Sequence, residues 1–301
     1  MTAPIFTGVG VALVTIFDSS GELDAGATSE LANRLVEAGI RCVVVAGSNG
    51  EAASLEVSER AGLVKAVRAA LPPDIVVLAG SGAPSARQAA HLTRVVLDAG
   101  ADAVLVLSPP QSSDPRPYYE TVAKAAGGAS VLGYHFPSVS SPGLAVEALA
   151  DLPIAGLKDS SGDARRMYET LEVFSGWFYT GSANLVLLAG ALGCGGAILG
   201  IANLEPEMSV RAFAGDAGAQ RQLVARASAL SAHWPHGLKE AVAARYGHLG
   251  DSADGLGLAS RNLEVAQRLR VTAWQLTQRV AHMIASRRSS PMGRPQSSQI
   301  P

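Results

Sequence analysis

Short apolar stretches alternate with amphipathic ones along roughly the first two-thirds of the chain, and few architectures accept that order. Strand candidates cover 8–17, 42–47, 75–82, 103–109, 130–136, 154–160, 177–182 and 196–203. They are continuously apolar, not alternating, which means that both faces are to be covered, as in a parallel sheet flanked by helices. Between them, 25–38, 56–71, 85–99, 117–126, 144–149, 164–174 and 183–192 carry apolar residues at helical spacing. Gly39 and Gly100 stand where helix C-termini are expected, and Ser85 and Asp163 stand at helix starts. Eight consecutive strand–helix units predict an α/β fold, a closed (β/α)8 TIM barrel. A doubly wound open sheet is the competing architecture. Its dinucleotide-binding version is weakened because no Gly-x-Gly-x-x-Gly follows the first strand.

After Asn203 the strands stop, and 205–215, 217–234, 237–246 and 260–284 are helical by period. The expected organisation is a barrel over 1–216, a C-terminal helical domain over 217–285, and a disordered tail over 286–301, which has little to bury. The formal net charge of −2 leaves no basic stripe for a nucleic-acid backbone, so that class of partner is set aside. Cys42 and Cys194, each in an apolar stretch, read as buried thiols of a reducing compartment, which points to the cytoplasm. Met1-Thr2-Ala3-Pro4 lacks the basic n-region and apolar core of a signal peptide. The segment 173–204 has no formal charge, but Gly190, Gly193, Gly195, Gly196 and Gly200 break it, and a buried helix, turn and strand explain it better than a membrane span.

Within this frame Lys158 stands out. It closes the apolar run Ile154-Ala155-Gly156-Leu157-Lys158, and the chain has only three other lysines, Lys65, Lys124 and Lys239. Those three fall in stretches with helical periodicity, where a solvated lysine is expected. At the mouth of a buried strand, loss of water favours a free amine that can attack a carbonyl. Arginine makes no Schiff base and could not serve there. Taken alone, Lys158 is equally well a strand-end lysine paired with Asp159.

Two further strand ends carry chemistry. Gly47-Ser48-Asn49-Gly50-Glu51 ends the second strand with a hydroxyl and an amide, and its backbone N–H groups could bind a carboxylate. An ordinary strand-to-helix turn is the other reading. Tyr134-His135-Phe136-Pro137 ends the fifth strand, and alternation lets only one of Tyr134 and His135 point inward. An inward Tyr134 could reach Lys158 on the next strand and carry protons, or it could simply cap the barrel.

These segments, with Gly156-Leu157-Lys158-Asp159-Ser160-Ser161-Gly162-Asp163, resemble the signatures of the dihydrodipicolinate synthase/N-acetylneuraminate lyase family over residues 5–284. The resemblance implies a (β/α)8 barrel with a helical C-terminal domain, class I aldolase chemistry on pyruvate or another 2-oxo acid, and a homotetramer or homodimer. It implies that Lys158 forms the Schiff base and Tyr134 shuttles protons. By the same resemblance Ser48 and Asn49 hold the oxo-acid carboxylate, and Gly181 and the carbonyl of Ile198 line the pocket. No cofactor is implied, because the lysine is itself the electron sink.

The departures from the family pattern matter as much. Val139 stands where the synthase branch has an arginine that grips the aldehyde partner's carboxylate. Ser108-Pro109-Pro110-Gln111 holds no phenol where that branch has a tyrosine pair, one of the two lent by a neighbouring subunit. Aspartate semialdehyde is then expected to be a poor substrate. The turn Gly47-Ser48-Asn49-Gly50-Glu51 instead resembles the 4-hydroxy-2-oxoglutarate aldolase branch, with sialic acid lyases and sugar-acid aldolases still open. A metal-dependent aldolase is disfavoured, since only His233 and His236 among the histidines are closely spaced and they flank Pro235 in the helical extension. The reading of another class is a retired barrel that binds an oxo acid as an effector without turnover. The missing phenol favours it, and the joint presence of Lys158 and Tyr134 speaks against it.

Overall fold

The computed structural model of the chain describes residues 3–18, 20–231 and 236–246, all within one compact unit, Met1–Ala259. Eight parallel strands close a barrel: β1 (Gly8–Ala12), β2 (Cys42–Val45), β3 (Val76–Gly80), β4 (Ala103–Leu107), β5 (Ser130–His135), β6 (Gly156–Asp159), β7 (Trp177–Thr180) and β8 (Gly196–Leu199). Closure is direct, because Gly8 through Val11 of β1 pair with Gly196 through Leu199 of β8. An open doubly wound sheet has two edge strands, whereas here all eight strands have a neighbour on both sides. The chain is therefore a (β/α)8 barrel.

Helices α1 (Ala25–Glu37), α2 (Val57–Ala70), α3 (Ala86–Asp98), α4 (Arg116–Ala126), α5 (Ala164–Val173) and α6 (Val186–Ala191) fill six of the crossovers. Ser85 and Asp163 cap α3 and α5 through their side chains, while Gly39 and Gly100 lie just past α1 and α3 at φ of +101° and +105°. The crossover expected as a helix at 144–149 is instead a 3-10 segment, Val146–Asp151. Pro142 and Pro153 bound this crossover on either side.

After β8 come α7 (Pro206–Phe213), α8 (Ala217–Ser231) and α9 (His236–Tyr246). The helix expected at 260–284 and the tail expected at 286–301 lie outside the described residues. No helix among the described residues is long and apolar enough to cross a membrane.

The strands run shorter than their apolar composition implies. Pairing in β1 stops at Ala12, yet Leu13, Val14, Ile16 and Phe17 remain buried. Hydrophobicity reports burial, and here burial continues into the loops at the barrel mouth after the ladder has ended. Side chains take over the backbone bonds: Val14 N–H donates to Asn203 Oδ1 at 3.1 Å, and Ile16 N–H to Thr28 Oγ1 at 3.0 Å.

Alternation along each strand splits the apolar residues into two cores. Val9, Val11, Val43, Val77 and Val104 face outward under the helices. Ala12, Val44, Leu78, Leu105, Leu132 and Ile198 belong to a smaller cluster inside the barrel. Phe6 stacks on Tyr179 at 4.7 Å between ring centroids, and the Tyr179 hydroxyl donates to the Phe6 carbonyl at 3.0 Å. The barrel interior is thus filled, and what remains open lies at the C-terminal ends of the strands.

Candidate active site

The β5–β6–β7 register sets Tyr134, Lys158 and Tyr179 side by side, and the two-residue period turns all three inward. Lys158 is 4% exposed, with its Nζ 4.3 Å from the Tyr134 ring centroid. Tyr179 is engaged with Phe6, and burial pushes its phenol up to about 12. Tyr134 is the phenol that remains at the cavity, stacked on Phe136 at 5.8 Å.

The adjacent residues point the other way, which decides two readings the sequence left open. His135 faces outward and its Nδ1 accepts the Leu144 N–H at 2.9 Å. Burial depresses its imidazole to about 4, with Asp159 pulling the other way. Asp159 is also outward, and its carboxylate accepts from Arg166 Nε at 2.7 Å and from the N–H and hydroxyl of Ser161 at 2.8 and 2.6 Å. Lys158 and Asp159 therefore share no salt bridge; among the described residues Lys158 forms none.

The turn after β2 is built under constraint. Ala46 and Glu51 occupy the left-handed region at φ of +52° and +53°, on either side of a 3-10 turn, Ser48–Gly50. Neither residue adopts that conformation freely, so surrounding contacts must hold it. The buried Arg60 of α2 does much of this, donating to the carbonyls of Gly80 at 2.7 Å, Ala52 at 2.6 Å and Ala46 at 3.4 Å. Burial lowers the tendency of that guanidinium to stay charged. Thr15 donates its hydroxyl to Gly50 O at 2.7 Å. The outcome is a buried Asn49 on the cavity wall, while Ser48, half-buried, does not line the cavity.

The cavity measures about 340 Å³ and brings Lys158, Tyr134, Asn49, Gly181 and Ile198 together. Glycine at 181 leaves these side chains their room: a methyl there would overlap Ser160 Oγ and come within 3.1 Å of Lys158 Cε, so both would have to shift. Val139 is not brought in. It is 45% exposed, because the N–H groups of Val139 and Ser140 both bond to Phe136 O and turn the loop off the mouth. The loops after β4 and β5 are tied to each other, through Gln111 N–H to Ser141 O at 2.7 Å and Ser140 Oγ to Ser108 O at 2.7 Å. The tyrosines of α4 are occupied elsewhere, Tyr118 on Ala83 O and Tyr119 on Val106 O.

Sequence reasoning missed two contributions. Ser160 lines the cavity and its hydroxyl lies 3.5 Å from that of Tyr134. The signal was available, since Ser160 follows Lys158 by two residues and so continues its inward face. The other is a wall from the helical extension, Ala227 and Leu230 of α8 with Leu238 of α9. Helical periodicity alone does not say what a helix packs against.

A secluded amine, a phenol, a hydroxyl and an amide in one pocket form a set suited to capturing a carbonyl compound and moving a proton. Among the described residues no group of three His, Cys, Asp or Glu side chains converges as a metal site would require.

Comparison with known proteins points the same way. Residues 5–231 match the dihydrodipicolinate synthetase family. An uncharacterized DapA-like lyase of Halobacterium salinarum is 35% identical over 231 residues, 73% of this chain and 76% of the relative. A 4-hydroxy-tetrahydrodipicolinate synthase of Pseudomonas aeruginosa is 32% identical over 238 residues, 73% of this chain and 80% of that one. Among solved structures, YagE of E. coli K12, a prophage protein of the dihydrodipicolinic acid synthase family in complex with pyruvate, superposes with a TM-score of 0.75 at 25% identity, covering 90% of this chain and 99% of that one.

Proposed function

The chain belongs to the dihydrodipicolinate synthetase family and is a lyase, and from that premise we propose that it cleaves or forms a carbon–carbon bond of a 2-oxo acid through a Schiff base on Lys158. The products of cleavage are pyruvate and an aldehyde. The substrate is a compound such as 4-hydroxy-2-oxoglutarate or a 2-keto-3-deoxy sugar acid. A cytoplasmic setting and a homodimer or homotetramer belong to the same proposal, and the two buried free cysteines suit a reducing compartment.

The Lys158 amine adds to the C2 carbonyl and water leaves, giving an iminium. The C3–C4 bond then breaks, its electron pair moves into the iminium, and Tyr134 takes the proton from the C4 hydroxyl as the aldehyde forms. The enamine gains a proton at C3, and water hydrolyses the iminium to release pyruvate. Asn49 and the backbone of its turn hold the carboxylate, Gly181 leaves room beside the lysine, and the Ile198 carbonyl borders the same end.

One observation carries the reading: Lys158 Nζ lies 4.3 Å from the Tyr134 ring centroid in a cavity shared with Asn49, with Asp159 held away by Arg166. The similarity to a chain solved with pyruvate supports the oxo acid. A synthase acting on aspartate semialdehyde is less well supported, because Val139 brings no guanidinium to the cavity and the loop after β4 brings no phenol.

Borohydride added with pyruvate should trap a reduced adduct on the peptide that carries Lys158. Lys158→Arg should abolish the adduct and lower turnover by about four orders of magnitude or more. Pyruvate release from 4-hydroxy-2-oxoglutarate, 2-keto-3-deoxy sugar acids and N-acetylneuraminate then identifies the aldehyde. An unmodified peptide with undiminished activity overturns the proposal.

A further inference from the structure

Lys239 reads from the sequence as a solvated helical lysine, and it is not one. It lies on α9 with its side chain 3% exposed, paired with a Glu51 carboxylate that is 7% exposed. Its Nζ also lies 4.6 Å from the ring centroid of the buried Phe17, in the loop after β1. Lys65 and Lys124, by contrast, are exposed as expected.

A buried ion pair is weak grounds for stability, since desolvating two charges offsets most of their attraction, and apolar replacements are often neutral or better. What such a pair supplies is a single geometry. Glu51 closes the turn that carries Asn49 and sits in the left-handed region, where a non-glycine residue persists only if its surroundings hold it. Thr15 binds the middle of this turn, and Arg60 binds the carbonyls of Ala46 before it and Ala52 after it. The Glu51 side chain itself is met by Lys239. The neighbour of Lys239, Leu238, lines the same cavity as Asn49. Burial disfavours the charged ammonium, and Glu51 acts in the opposite sense.

We infer that the Glu51–Lys239 pair is a positioning device for the oxo-acid end of the cavity, holding the Asn49 turn in line with Lys158 while docking α9 onto the cavity wall. The inference takes its ligand from the lyase reading above. Lys239 touches neither lysine nor substrate in this scheme and acts through the turn.

The test uses the full chain as wild type, Lys239→Met, and the double variant Glu51→Gln with Lys239→Met. Lys239→Met keeps an apolar stem of similar length and takes the ammonium from a buried carboxylate, so its Tm should fall. The double variant removes both charges and should recover most of that loss. Two readouts should not recover with it. Amide exchange in a peptide spanning 47–52 should stay faster than in wild type. The pyruvate concentration that half-saturates borohydride trapping should stay raised by roughly tenfold, with the trapped fraction at saturation unchanged. Wild-type exchange and wild-type pyruvate dependence in a folded double variant would reduce the pair to a structural contact and overturn the inference. If wild type itself traps no pyruvate, the lyase reading fails, and the exchange at 47–52 decides the role of the pair by itself.

Discussion

Two rungs of the barrel ladder stand next to each other and have been put to opposite uses. Tyr134 and Lys158 face each other across β5 and β6 on the inner side; one residue on, His135 and Asp159 face each other on the outer side. The outer pair is bonded throughout: Arg166 binds Asp159 through Nε and the Leu144 carbonyl at 2.6 Å, and the Leu144 N–H returns to His135. The inner pair has an ammonium over a ring and a hydroxyl contact to Ser160. A fully paired lysine would be a poor nucleophile, and an unpaired aspartate on the outer face would be a cost without a use. The pleat separates the two by one residue, so the outer network fixes strands whose inner side is left available.

The comparison is tested most severely at Tyr134. Tyr134→Phe keeps the ring under Lys158 and its stacking on Phe136, and removes the proton carrier. Turnover should fall by roughly 100- to 10,000-fold, while borohydride trapping with pyruvate persists. Loss of trapping and turnover in equal measure would mean that the phenol holds the lysine in place and does not carry the proton.

Next in size is a break on the outer side. Arg166→Met leaves the Asp159 carboxylate, 4% exposed, with Ser161 as its remaining side-chain partner among the described residues. Removing one member of such a pair costs about 3 kcal/mol and should lower Tm by roughly 5–10 °C. At temperatures where the variant is folded, trapping at saturating pyruvate should match wild type. A stable Arg166→Met protein that traps poorly would show that the outer network tunes the amine and does more than fix the strands.

How much of this was legible beforehand follows from which signals are local. The eight strands were, since continuous burial on both faces writes itself into consecutive residues. Whether Tyr134 or His135 pointed inward was not, because alternation gives two phases and only the register with β6 chooses between them. The partner of Lys239 lies 188 residues away, and nothing in helical periodicity distinguishes a buried cation from a solvated one. The family resemblance placed Val139 at the pocket, and the Phe136 turn, set by two backbone hydrogen bonds, carries it outside.

The smallest effect is a pH dependence on the outer face. His135 accepts the Leu144 N–H at Nδ1 and must be neutral to do so, and burial takes it from an ordinary 6.5 to about 4. Between those values the unfolded chain binds a proton that the folded chain refuses. The sign follows: this contribution to stability is complete above about pH 6.5, declines as pH falls, and is gone below about pH 4. After allowance for solvent screening it amounts to about 2 kcal/mol. Other carboxylates titrate in the same range, so the measurement is a difference. His135→Asn, with an amide oxygen to accept the Leu144 N–H, should be less stable than wild type near neutral pH, and the gap should narrow as pH is lowered from 6.5 to 4. A gap that stays constant across that window would mean that His135 titrates alike in both states, and that the outer face owes its order to Asp159 and Arg166 alone.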